Sequence, residues 1–189
     1  ADRDDAINTT KVGTAEADLV IACDALVAAN KATMAVMRDG RTYVALNTHG
    51  TPTAAFVSNP DWQFPQGQCE TAVASAVGPG LVGGVDADRL AVALVGDSIY
   101  TNPLLLGYAW QQGRVPLAHA SLMRAIELNA VQVANNKAAF EWGRRAAHDA
   151  AGVEAIVQSL ASTAQVIQFA KKPSLAEMTT KAIDILSKN

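Results

Sequence analysis

Aromatic side chains make up only 5% of this 189-residue chain, and cysteine occurs twice. With few large rings and abundant alanine, the core is expected to form where helices pack closely on one another and on a sheet. Cys23 and Cys69 lie far apart and form no Cys-x-x-Cys pair. Two thiolates are too few for an iron–sulfur cluster or a cysteine-rich zinc site. Cys23, inside an apolar run, reads as a buried free thiol. No apolar run approaches the roughly 18 residues of a membrane span, and no leader sequence is evident, so the chain is expected to be soluble and cytoplasmic. Basic runs do not exceed a pair such as Arg144 and Arg145. With a net charge of −3 and a pI near 5.5, this argues against a nucleic-acid or anionic-membrane surface. Patterns for a Walker A loop, GxGxxG, GxSxG, HExxH or DxDxDG are also lacking, and with them a self-contained enzyme of those classes.

What is present reads as a single α/β domain large enough for a real core. Residues 17–24 (ADLVIACD) form a short apolar run ending in an acid, the pattern of a parallel strand covered on both faces. Asp24 is placed to cap a helix over residues 25–38. Asp39 and Gly40 mark a turn, and residues 41–47 are a second strand, which completes a right-handed βαβ unit. A polar loop follows at 48–52, then an extended piece at 53–57 and an irregular stretch at 58–65 interrupted by Pro60 and Pro65. A helix is expected over 67–77, broken by Gly78, Pro79 and Gly80. A weak strand over 81–86 follows, its Gly83 and Gly84 signalling close backbone approach. Asp86 or Asp88 would cap a helix through Val95. Beyond Gly96 no strand is expected. Helices fill 118–129 and 131–149, the latter with a Glu141–Arg145 pair. Residues 150–170 are weakly amphipathic, and a last helix covers 175–187.

Residues 96–113 stand out because a polar turn (Asp97, Ser98, Thr101, Asn102) runs straight into the most apolar helix of the chain. Asn102 is expected as its N-cap with Pro103 in the first position, and Gly113 and Pro116 as its stop. Asp24, Asn47, Thr48, His49 and Asp86 fall at the C-terminal ends of expected strands, where open α/β sheets bind ligands. The structural alternative is that the two acids only cap helices and His49 is a loop residue. A lone histidine with no placed acid or nucleophile is not a catalytic centre. Gly96-Asp97-Ser98 and Asn135-Asn136 invite comparison with the GDG…NN signature for thiamine diphosphate and magnesium. The match fails because Ser98 replaces a glycine and the asparagines lie too far on. Trp62 and Trp110 read as packing residues, and Asn59-Pro60-Asp61-Trp62 as a candidate exposed contact loop.

Three strings carry a resemblance: residues 17–24, residues 59–65 (NPDWQFP) and, most specifically, residues 96–116 (GDSIYTNPLLLGYAWQQGRVP). It continues through residues 125–129 (AIELN) and 136–145 (NKAAFEWGRR). Together they resemble the γ-type domain of 2-oxoacid:ferredoxin oxidoreductases, most of all that of the large fused bacterial indolepyruvate enzymes. The resemblance implies a Rossmann-like three-layer domain over residues 1–149, with a small, mostly parallel sheet and a helical C-terminal half. Residues 150–189 are then a helical extension. The Gly-rich βα unit that opens this domain in the family is not seen ahead of Asp18, so a sheet edge or apolar face is expected to be left for a homodimer or a neighbouring domain to cover.

The activity implied is CoA-dependent oxidative decarboxylation of a 2-oxoacid such as indolepyruvate, with electrons passing to ferredoxin. Thiamine diphosphate, magnesium and iron–sulfur clusters are expected in other domains or subunits of the enzyme, and none of them on this chain. The chain itself is expected to carry no catalytic residue, to bind no metal, and to help form the CoA region and the domain interface. Asp24, Asn47, Thr48, His49, Asp97, Ser98, Thr101 and Asn102 are its candidate contacts. The rival expectation is a purely structural interaction module that binds no ligand.

Overall fold

Three short runs of apolar residues pair side by side, all parallel, in the computed structural model, which describes residues 11–50 and 66–163. Strands β1 (Leu19–Ala22), β2 (Tyr43–Asn47) and β3 (Val82–Val85) lie in that order, with Leu19 opposite Tyr43 and Val44 opposite Val82. Parallel neighbours need crossover connections, and helices supply them. Helices α1 (Ala25–Ala28) and α2 (Lys31–Ala35) lead from β1 to β2, and α3 (Gln66–Val77) leads into β3. The expected features at 53–57, 58–65 and 175–187 lie outside the described residues.

Side chains alternate across a strand, and β2 shows the consequence. Its Val44 and Leu46 pack with Ala25, Ala28, Val73 and Val77 of α1 and α3. Its Tyr43 and Ala45 face a larger cluster on the other side, built from α4 (Ala87–Val95), α5 (Thr101–Gln111), α7 (Val133–His148) and α8 (Ala150–Thr163). Helix α6 (His119–Asn129) flanks that layer. The fold is therefore α/β in three layers around a small parallel sheet.

All five residues of β2 are buried, but Leu19, Val20 and Ile21 of β1 are only half-buried. The run at 17–24 is thus not covered on both faces as its composition suggested; among the described residues it is an edge strand. The single helix expected over 25–38 is two helices. Asn30 accepts a hydrogen bond from the Thr33 amide at 2.8 Å and starts a second helix where the first should continue. Asp24 caps α1 as expected, accepting from Leu26 N at 2.8 Å and Val27 N at 3.1 Å.

Helices α5 and α7 touch backbone to backbone. A methyl group on Gly107 would collide with the Phe140 carbonyl oxygen. One on Gly143 would collide with the Leu104 carbonyl oxygen and sit 2.9 Å from Tyr108 N. Each helix thus contributes a bare glycine to the other's main chain, which only glycine permits. Leu104, Leu105 and Phe140 fill the space around the crossing and are fully buried. Within residues 150–170 the described part is regular helix, docked into the same core by Val153 and Val157. No described helix is long and apolar enough to cross a membrane.

Helix α7 begins two residues later than expected because Ala130 and Gln132 both take left-handed conformations (φ 56° and 42°), turning the chain out of α6. The expected Glu141–Arg145 pair is not formed. Glu141 pairs with Arg144 at 2.7 Å and with His119 at 2.6 Å, and the Arg145 guanidinium stacks on the Trp142 ring at 4.9 Å.

Candidate functional site

The C-terminal ends of β2 and β3 gather a continuous polar cluster, and Asn47 is its hub. This side chain is 3% exposed. It donates to the Cys23 carbonyl at 3.1 Å and accepts from the amides of His49 at 3.2 Å and Ala87 at 3.0 Å. One carboxamide thereby joins the ends of all three strands to the start of α4. Thr48 continues the ladder through its amide to the Val85 carbonyl at 2.9 Å, and its methyl faces Gly84, where an added Cβ would come within 2.9 Å.

His49 projects from this edge with its Nδ1 3.1 Å from Asp86 Oδ1 and its Nε2 4.0 Å from Asp88 Oδ2. A carboxylate can only accept, so Nδ1 carries the proton toward Asp86. Asp86 also caps α4 through Arg89 N at 3.0 Å. Arg89 in turn pairs with Glu154 of α8, and this pairing holds the Glu154 carboxyl below its ordinary range and raises Arg89. Asp88 accepts from the Thr101 hydroxyl, whose single proton is shared with the Ser98 carbonyl 2.7 Å away. Two acids at the start of α4, the cap Asp86 and Asp88 in the first turn, therefore tie His49 on one side and the start of α5 on the other.

The turn at 96–102 divides its labour differently from the expectation. Gly96 ends α4 in the left-handed conformation (φ 97°), its amide bonding the Ala91 and Val92 carbonyls. Asp97 then caps a short 3-10 turn (Ser98–Tyr100) by accepting from Ile99 N at 2.9 Å. Helix α5 follows without a break from Thr101, so Asn102 is its second residue and not its N-cap. The 3-10 turn supplies the lead-in that a cap at Asn102 would otherwise provide. Asp97, Ser98 and Asn102 are solvent-exposed, and Thr101 is buried. The two asparagines compared with the thiamine signature are occupied elsewhere. Asn135 donates to the Tyr100 hydroxyl at 2.9 Å and Asn136 to the Val131 carbonyl at 2.8 Å.

Four of the eight candidates, Asn47, Thr48, His49 and Thr101, thus lie along one polar edge with Asp86 and Asp88; Ser98 joins them only through its main-chain carbonyl, and Asp97 caps the 3-10 turn. Asp24 caps α1 at the neighbouring strand end, and Asn102 points outward from α5. Asp88, Arg89 and Glu154 belong to the same network and were not singled out as contacts from sequence. The acid–x–acid–Arg spacing after β3 (Asp86, Asp88, Arg89) is the one local signal for them. Glu154 comes from a different helix and gives none.

Chemically the edge offers hydrogen-bond donors and acceptors grouped around His49. Cys23 lies close, yet burial, reinforced by the Asp88 carboxylate, pushes its thiol up and keeps it protonated at neutral pH. Among the described residues no group of three or more His, Cys, Asp or Glu side chains is arranged to hold a metal. A cavity of about 210 Å³ opens beside the cluster, walled by Val85, Leu90, Tyr108 and Val153, with Arg89 and Glu154 among its lining. Compared with models of known families, with curated proteins and with solved structures, the chain has no match.

Proposed function

We propose that this chain is an accessory domain of a 2-oxoacid:ferredoxin oxidoreductase, with indolepyruvate or another aryl 2-oxoacid as the substrate of the whole enzyme. In this role it contributes contacts near the CoA cosubstrate and to neighbouring domains, and none of the bond-making groups. Thiamine diphosphate, magnesium and the iron–sulfur clusters belong to other domains or subunits, and ferredoxin accepts the electrons of the whole enzyme. The observation that carries this proposal is the coincidence of resemblance and architecture. The string that most resembles the family, 96–116, and the stretch 136–145 through which the match continues contain Gly107, Gly143, Leu104 and Phe140, which build the α5–α7 crossing. The same stretch supplies Thr101, whose hydroxyl bonds Asp88, and in this reading Asp97 and Ser98 of the same turn contact a ligand at the sheet's C-terminal edge.

A specific observation favours the rival, a structural interaction module without a ligand. Asp24, Asn47, Asp97 and Thr101 already have intramolecular partners, and no buried side-chain polar atom is left unpaired among the described residues. Thermal unfolding of the chain with and without CoA separates the two. A ligand that binds only the folded state raises stability as RT ln(1 + [L]/Kd), so an accessory domain with a complete CoA surface melts higher as CoA rises. A melting temperature unmoved up to millimolar CoA favours the interaction module.

A further inference from the structure

Helices α5 and α7 end beside a groove of about 280 Å³ lined by Gln111, Glu141, Arg144, Arg145 and His148. None of these residues belongs to the network at the sheet's C-terminal edge. Both guanidinium groups lie over an indole: Arg144 Cζ is 4.8 Å from the centre of the Trp110 ring and Arg145 Cζ 4.9 Å from that of Trp142. Stacking uses the face of a guanidinium and leaves its in-plane N–H groups free to donate.

The one acid in the wall is already occupied. Glu141 meets His119 through one oxygen at 2.6 Å and Arg144 through the other at 2.7 Å. Arg144 Nε donates to Gln111 Oε1 at 3.1 Å, which fixes the carboxamide and leaves its NH₂ as a donor. Arg144 keeps its remaining Nη hydrogens. Arg145 and His148 are exposed, and no carboxylate among the described residues pairs with either. Among the described residues the groove therefore shows donors on four side chains from two helices and no carboxylate left unpaired.

We infer that this groove is an anion-binding site for the phosphate group of a small molecule. A phosphate presents three oxygens and up to two charges to donors approaching from different sides, whereas a carboxylate presents two oxygens in one plane. The indole supports preset the arginine planes, so less side-chain freedom is lost on binding. The competing explanation is that Arg145 and His148, in the last turn of α7, only complement the negative end of the helix dipole.

Calorimetric titration of the full chain with inorganic pyrophosphate at low, fixed ionic strength tests this. The expected result is saturable one-to-one binding that Arg145→Gln weakens about tenfold, the loss of one charge-assisted hydrogen bond. His148→Ala should weaken it in the same direction and provides a second probe if Arg145→Gln perturbs folding. Arg114→Gln is the control, because Arg114 also stacks on a ring, that of Tyr43 at 4.2 Å, but does not line the groove. The assignment is overturned by heat that never saturates, or by Arg145→Gln binding as well as the parent chain and merely melting lower. Equal loss in Arg114→Gln, or citrate binding as tightly as pyrophosphate, overturns it as well.

Discussion

The α5–α7 crossing and the C-terminal edge of the sheet share the start of α5 but are held by different physics. At the crossing, two bare glycines let backbones meet and apolar side chains seal the space. At the edge, Asn47 bonds main-chain groups of all three strand ends, Asp86 bonds His49 and Arg89, and Asp88 bonds Thr101, with His49 only half-buried. The first can be built only one way. The second can exchange partners, because most of its groups have a bond that a ligand or a neighbouring domain could replace. Rigidity and contact capacity are thus separated within fewer than two helices.

The largest effect is expected where backbones touch. Gly143→Ala or Gly107→Ala must push α5 and α7 apart, since the clash is with main-chain atoms that cannot rotate away; a loss of about 3 kcal/mol or more is expected in denaturant melts. A loss under about 1 kcal/mol would mean that the crossing is more plastic than the edge, reversing the contrast. Next comes Asn47→Ala, which strips the Cys23 carbonyl and the Ala87 and His49 amides of a partner at once. It should cost about 2–3 kcal/mol, with hydrogen exchange rising at the start of α4 before it rises in α5.

Smaller changes sharpen the electrostatics of the edge. Asp88→Asn removes one of the two influences that keep the Cys23 thiol up, so alkylation of Cys23 at mildly alkaline pH should be faster in this variant. An unchanged rate would place the thiol under burial alone. The smallest effect is on acid stability. Glu154 is held below its ordinary value of 4.5 by Arg89, chiefly through the hydrogen bond. A depressed carboxyl contributes stability that is present above 4.5 and is lost as pH falls through the lower folded value. Arg89→Ala should therefore melt lower than the parent near neutral pH, with the gap narrowing below about pH 4.

Much of the fold was legible from punctuation and period. The three strands, Asp24 and Asp86 as caps, and Gly113 as a stop follow from local rules that need no partner. What failed needed tertiary information. The split of the first crossover helix turns on Asn30 choosing to cap, a preference that a helical pattern of apolar residues conceals. The half-buried state of β1 depends on what lies beyond it, which an apolar run cannot say. Glu141 takes Arg144 and His119 instead of Arg145 because Trp142 claims the latter. At the edge, Asn47 and His49 stood out by their position after a strand. Glu154 joined them from a helix far along the chain, and nothing local marks it.

The GD pair that opens the 96–113 string shows how sequence and geometry divide. As letters it invites comparison with a cofactor signature. In the fold Gly96 closes one helix and Asp97 opens the next turn. Its position still counts, because the turn it opens brings the Thr101 hydroxyl onto Asp88.

The central claim, that the edge receives a ligand while the crossing only supports it, is tested most directly by hydrogen exchange on the full chain with and without millimolar CoA. The account predicts slowed exchange at the amides of 47–49, 86–89 and 97–102, with the interior of α5 and α7 unchanged. Protection confined to α5 and α7, or none anywhere, would contradict it.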